Sequence, residues 1–137
     1  MTIGKTANAT TVVTDANTAK AVGSGNLPVF STPMMVALME EAACNVLAEF
    51  LNTEQKAEQK SEQSSVGTQI NVEHTAASPI GAVITASATI TAVDGRKVSF
   101  DLHARDEKND IGKGTHTRFI IDVERFMSNL TNKVKVK

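Results

Sequence analysis

The 137-residue chain has no tryptophan, no tyrosine, one cysteine and three prolines. With only five phenylalanines as large aromatics, its core has to be built from Ala, Val, Ile and Thr. Such small and β-branched residues favour close-packed strands and helices over a bulky aromatic centre. The lone Cys44 excludes an internal disulfide and fits a reducing compartment. No apolar run approaches the roughly 18 residues that a membrane helix needs. The first segment (MTIGKTANATTVVTDANTAK) lacks the continuous apolar stretch of a secretory leader, so the expected location is the cytoplasm. A net charge of −1 supplies no field that would draw the molecule onto nucleic acid or an anionic membrane. There is no glycine-rich phosphate loop and no dinucleotide fingerprint. His74, His103 and His116 lack ligand spacing, so no metal site is expected.

What is present reads as one domain spanning residues 1–137. Residues 9–14 (ATTVVT) are β-branched and predict a first strand. A polar stretch with a short helix and a glycine turn follows, then an apolar-tipped connector, NLPVFS, at 26–31. Residues 32–51 (TPMMVALMEEAACNVLAEFL) have a helical period, with Thr32 as expected N-cap and Pro33 in the first turn. Glu41, Asn45, Glu49 and Asn52 share its polar stripe. More than half of the circumference is apolar, so other structure has to wrap this helix. Residues 52–64 are strongly polar, and Lys56 and Lys60 there are read as a solvated helix end or, alternatively, as phosphate contacts at a ligand entrance.

The remainder reads as a meander. Strands are expected at 65–75, 82–93, 98–105 and 111–123, with a two-residue turn at Asp94-Gly95 and another turn at 107–110. Ala82, Ile84, Ala86, Ala88, Ile90 and Ala92 alternate onto one face, as do Val98, Phe100, Leu102 and Ala104. A sheet with one apolar face must cover something, and the apolar helix is the available object. The expected fold class is α+β, a hotdog fold in which a curled antiparallel β-sheet wraps a long central α-helix. One such layer leaves sheet edges and a helix flank open, so a homodimer is expected. The tail TNKVKVK, with Lys133, Lys135 and Lys137, is expected to be solvated.

Three side chains stand out chemically. Glu40 lies about 100° around the helix from Glu41, among Val36, Ala37, Ala43, Cys44 and Leu47. Burying an unpaired carboxylate costs several kcal/mol, so Glu40 needs a partner, a wet cleft or a chemical role. His74 shares the inward side of its strand with Ile70 and Val72. It is either a core histidine satisfied by a carbonyl or an imidazole oriented by Glu40. Thr32 is a helix cap whose hydroxyl also sits at the positive end of a dipole, where an anionic intermediate is stabilised. Thr32 and Glu40 are separated by about 12 Å of helical rise, so His74, the substrate or a dimer-related chain has to bridge them. Cys44 is expected in the core and His103 on the surface; the role of His116 is open. Arg118 is expected to pair with a carboxylate or to serve an acyl or phosphate group.

The segments TPMMVALMEEAACNVLAEFL, SSVGTQINVEHTAASPIGA, VDGRKVSFDLHARD and IGKGTHTRFIIDVERF resemble the fluoroacetyl-CoA thioesterase family of hotdog proteins over residues 29–132. The resemblance implies thioester hydrolysis with Thr32, Glu40 and His74 as the catalytic group. It implies that Gly67 and Arg118 help to place the acyl group. Acyl-CoA is the implied substrate, with CoA as its carrier half and no further cofactor. Fluoroacetate-specific members carry a phenylalanine lid just before the helix, ahead of the Val-Phe pair; here that stretch is Asn26-Leu27-Pro28, with no Phe until Phe30, which matches a different position. The expected substrate is therefore an ordinary short acyl-CoA. The competing readings are a hotdog enoyl-CoA hydratase or dehydratase and a non-enzymatic acyl-CoA binding module.

Overall fold

The structure, a computed structural model, describes residues 1–51 and 61–134. Lys56 and Lys60 lie outside the described residues, as do Lys135 and Lys137 of the tail. Strand β1 (Thr6–Val12) is followed by a 3₁₀ turn (Asp15–Asn17) and helix α1 (Ala19–Val22). Helix α2 (Thr32–Leu47) precedes strands β2 (Gln63–His74), β3 (Val83–Asp94), β4 (Lys97–Arg105) and β5 (Asp110–Asp122). Helix α3 (Val123–Val134) comes last. The strands form one five-stranded sheet in the order β1-β3-β4-β5-β2, antiparallel at every pairing. This is the curled sheet and helix of the hotdog fold.

The core forms where two periodicities meet. Ile84, Ala86, Ala88 and Ile90 of β3, and Val98, Phe100, Leu102 and Ala104 of β4, are buried at two-residue intervals. They pack against Met35, Leu38, Met39, Ala42, Ala43, Val46 and Leu47, the buried stripe of α2. Each large apolar side chain buried here contributes about 1.5–3 kcal/mol relative to exposure. The alanines opposite α2 let it lie close to the sheet. Gly112 of β5 extends that close approach, because a Cβ there would meet Met35 Sδ at 2.5 Å. Gly112 pairs in register with His74, so the start of α2 is seated directly over the end of β2.

Several expectations are corrected. Ser31, not Thr32, caps α2: its backbone is extended (φ −84, ψ 149) and its Oγ accepts the Met34 N–H at 3.2 Å. The first strand begins at Thr6 rather than residue 9, and the helix stops at Leu47. Ala92 is exposed, because the β3–β4 register shifts between Ile90 and Ala92 and breaks the alternation. The hairpin loop is Gly95-Arg96, closed by the Asp94–Lys97 pair. Cys44 is exposed rather than in the core. It continues a flank with Val36 and Glu40 that one chain leaves partly uncovered. The last strand ends at Asp122, and α3 follows, with none of its residues buried. Among the described residues, no helix is long and apolar enough to cross a membrane.

Candidate active site

Two clusters of polar side chains line the inner face of the sheet beside α2. The first lies at the helix start. With Ser31 as cap, the Thr32 side chain is not needed to close the helix, and its Oγ1 lies 2.8 Å from His74 Nδ1. Ser31 is itself buried, and its N–H donates to the Asn17 carbonyl at 3.1 Å, which ties the helix start to the 3₁₀ turn. His74 is the last residue of β2, and the next amide, Thr75 N–H, donates to the Ile111 carbonyl at 2.7 Å. The Phe30 ring meets the imidazole edge-on, with centroids 6.4 Å apart. Burial lowers the His74 pKa, with the Ala76 backbone partly opposing it, so the ring is neutral at pH 7. Its Nε2 is buried and has no hydrogen-bond partner among the described residues.

A neutral imidazole with its Nδ1 lone pair toward Thr32 accepts the hydroxyl proton and carries its own hydrogen on Nε2. In that tautomer the Nε2–H is a buried donor awaiting an acceptor, a condition that costs about 1–3 kcal/mol. Beside the pair is a cleft of about 270 Å³ lined by Ala19, Ser24, Val29, Phe30 and Thr75 among others. Donors at the helix start are few. Met34 N–H donates to Ser31 Oγ, Met35 N–H donates to the Ser31 carbonyl, and Pro33 has none. Of the first turn, only the Thr32 amide is left to face an anion, aided by the helix dipole.

The second cluster is built around Arg118 of β5. This guanidinium is buried and engaged at every nitrogen. Nε donates to Ser65 Oγ at 2.8 Å and Nη2 donates to the Ser65 carbonyl at 3.1 Å. Nη1 donates to Glu40 Oε2 at 3.3 Å and to His116 Nε2 at 3.2 Å. The Glu40 side chain is 41% exposed, so its carboxylate is anchored on one oxygen and open to its surroundings. Gly67 of β2 pairs with Arg118, and a Cβ there would lie 2.7 Å from Glu40 Oε2 and 3.1 Å from His116 Cε1. A bulge between Gly67 and Gln69 shifts the edge strand locally.

The structure thus brings Thr32 and His74 together, and separately brings Glu40, Gly67 and Arg118 together. No hydrogen bond or ion pair joins Glu40 to His74 among the described residues. The imidazole that Glu40 approaches is that of His116, at 3.9 Å. Sequence reasoning missed Ser31 and Ser65 and left His116 without a role. A signal was available for the latter two: Ser65 and Gly67 alternate on one strand, as His116 and Arg118 do on its neighbour.

The family model for fluoroacetyl-CoA-specific thioesterase (FlK) matches residues 13–124. The fluoroacetyl-CoA thioesterase of Streptantibioticus cattleyicolor is 38% identical over 105 residues, covering 77% of this chain and 70% of that protein. A mutant of FlK solved in complex with acetyl-CoA superposes with a TM-score of 0.86 at 32% identity, over 98% of this chain and 100% of the other. A Thermus thermophilus hypothetical protein, a thioesterase superfamily member, superposes with a TM-score of 0.80 at 25% identity, over 96% and 94%.

Proposed function

The chain belongs to the fluoroacetyl-CoA-specific thioesterase family of thioester hydrolases, and from that premise we propose that it hydrolyses a short-chain acyl-CoA to free acid and CoA. The observation that carries this reading is the 2.8 Å contact between Thr32 Oγ1 and a neutral His74 whose other nitrogen is buried and unpartnered. Thr32 Oγ1, or a water held with it, adds to the thioester carbonyl as His74 takes the proton. The tetrahedral oxyanion collapses, and the imidazolium returns the proton to the departing CoA thiolate. If the acyl group has passed to Thr32, water repeats the sequence and frees the acid. Glu40 orients His74 and offsets its positive charge, or activates the attacking water. The chemistry uses no metal or redox group; CoA enters as the carrier half of the substrate. The cleft of about 270 Å³ suits a short acyl group; ahead of the Val29-Phe30 pair the chain has Leu27 and no aromatic, while Phe30 itself lines the cleft.

The absence of a hydrogen bond or ion pair between Glu40 and His74 among the described residues favours a homodimer. Strand β2 is an edge of the sheet, and the helix flank with Val36, Glu40 and Cys44 is open on the same side. Ile70, in mid-strand, is 39% exposed. Antiparallel pairing of two β2 strands about a two-fold axis near Ile70 lays the His74 end of one along the Gly67 end of the other. Glu40 of the partner subunit is then the acceptor for the unpartnered His74 Nε2–H. Each site would take Thr32 and His74 from one copy and the carboxylate from the other.

The test is a panel of short acyl-CoAs followed by release of free thiol. Turnover by the wild type, strongly reduced by His74→Ala and Glu40→Gln, supports the reading. A changed acyl chain with its thioester intact would instead indicate a hydratase. Tight binding without turnover would indicate a carrier.

A further inference from the structure

We infer that His116 is a positioning residue for this reaction: as a neutral imidazole, its bare Nε2 holds Arg118 Nη1 and thereby aims the guanidinium at the Glu40 carboxylate. The inference rests on the proposed thioesterase reading, in which Glu40 serves the reaction. The tautomer follows from the partners. His116 Nδ1 lies 2.8 Å from the Gln69 carbonyl, which only accepts, so Nδ1 carries the hydrogen. Arg118 Nη1 only donates, so Nε2 at 3.2 Å has to be the acceptor. Both nitrogens are satisfied only in this one neutral form.

The surroundings enforce that form. His116 is buried, the Phe100 ring lies 6.0 Å away at 31°, and the charged groups facing it are Arg118 and Glu40. Burial lowers its pKa, against the Gln69 carbonyl, and Arg118 lowers it further while Glu40 opposes. Nη1 carries two hydrogens, one for each of two acceptors, Glu40 Oε2 and His116 Nε2, which lie 3.9 Å apart. Removing the imidazole acceptor leaves one Nη1 hydrogen unengaged, so the Nη1 end is fixed by Glu40 alone while Nε and Nη2 stay on Ser65. The carboxylate it holds is the one that Gly67 leaves room for.

Two substitutions separate this role from simple packing. His116→Gln presents an amide oxygen near the place of Nε2 and gives up the donor to Gln69. His116→Asn keeps a donor near the place of Nδ1 and gives up the acceptor. The Asn variant should lose ~10-fold or more in kcat with KM changed little, since misplacing a reacting group by about 1 Å costs up to ~10²-fold. The Gln variant should stay within ~3-fold of wild type, as expected when the acceptor is what matters. On a Glu40→Gln background the Asn substitution should add less than ~2-fold, the non-additivity expected of residues acting through one another. Imidazole ¹⁵N spectra of the wild-type protein should show Nδ1 protonated and Nε2 bare at neutral pH, a readout independent of turnover. A reversed ranking of Gln and Asn, full additivity with Glu40→Gln, or a protonated Nε2 would overturn the inference. Absence of thiol release by the wild type would sink the functional reading instead, and leaves the ¹⁵N result to decide the imidazole's state.

Discussion

The two polar clusters on β2 differ in how fully their groups are satisfied. Around Arg118, every nitrogen of a buried guanidinium has a partner, and the neighbouring imidazole is held in one tautomer. At the far end of the strand, His74 has one nitrogen on a hydroxyl and the other buried without a partner. A saturated network resists rearrangement and suits a role in holding a charge in place. An under-satisfied one has an unmet demand for a hydrogen-bond partner, which suits proton transfer. On the proposed reading, the chain separates the group that would move protons from the apparatus that would aim the carboxylate.

The largest effect is expected at the under-satisfied end. His74→Ala should lower kcat by ~10³-fold, within the range for loss of a general base, measured by thiol release from a saturating acyl-CoA. The same pair sets the pH profile. With His74 as the proposed neutral base and its pKa lowered below the ordinary 6.5, activity should hold through neutrality and fall only as pH drops below that value. An acid limb centred above 6.5 would contradict the assignment.

At the saturated end, Glu40→Gln should lower kcat by ~10²-fold, because the carboxylate is needed as charge and acceptor but the pair Thr32–His74 survives. Unchanged kcat in that variant would detach the second cluster from the reaction. Gly67→Ala is gentler. Its Cβ has to push Glu40 Oε2 away from a 2.7 Å approach, and about 10-fold loss of kcat is expected without loss of folding. If Gly67→Ala proved neutral, the close approach of strand and carboxylate would have no functional meaning. Smallest in activity but visible in stability is Ser31→Ala, which removes the cap of α2. It should cost about 1 kcal/mol in chemical denaturation. An unchanged midpoint would return the capping role to Thr32 and weaken the case that its hydroxyl is available.

Much of this was legible from residue order. The alternation of Val98, Phe100, Leu102 and Ala104, and the helical stripe from Met35 to Leu47, each dictate a single buried face. Thr32, Glu40 and His74 are conspicuous as polar groups on apolar faces. Their grouping is not legible, because it depends on long-range register: Gly67 opposite Arg118, His74 opposite Gly112, and a bulge between Gly67 and Gln69. The choice between Ser31 and Thr32 as cap is decided by backbone dihedrals that two adjacent hydroxyl residues do not reveal. Cys44 looks like core because its flank of α2 is apolar, yet one chain does not cover that flank. Helix α3 has apolar residues at helical spacing (Phe126, Met127, Leu130 and Val134), but burial does not drive it, since none of its residues is buried.

Subunit complementation addresses the proposed shared site most directly. A His74→Ala chain and a Glu40→Gln chain, carrying different tags, are co-expressed, and the mixed dimer is purified and assayed for thiol release. If each site draws its imidazole from one copy and its carboxylate from the other, one of the two sites is intact, and about half of the wild-type rate per dimer returns. A mixed dimer no more active than either parent would mean that Glu40 and His74 serve the same site from one chain, and the two-copy arrangement would be wrong.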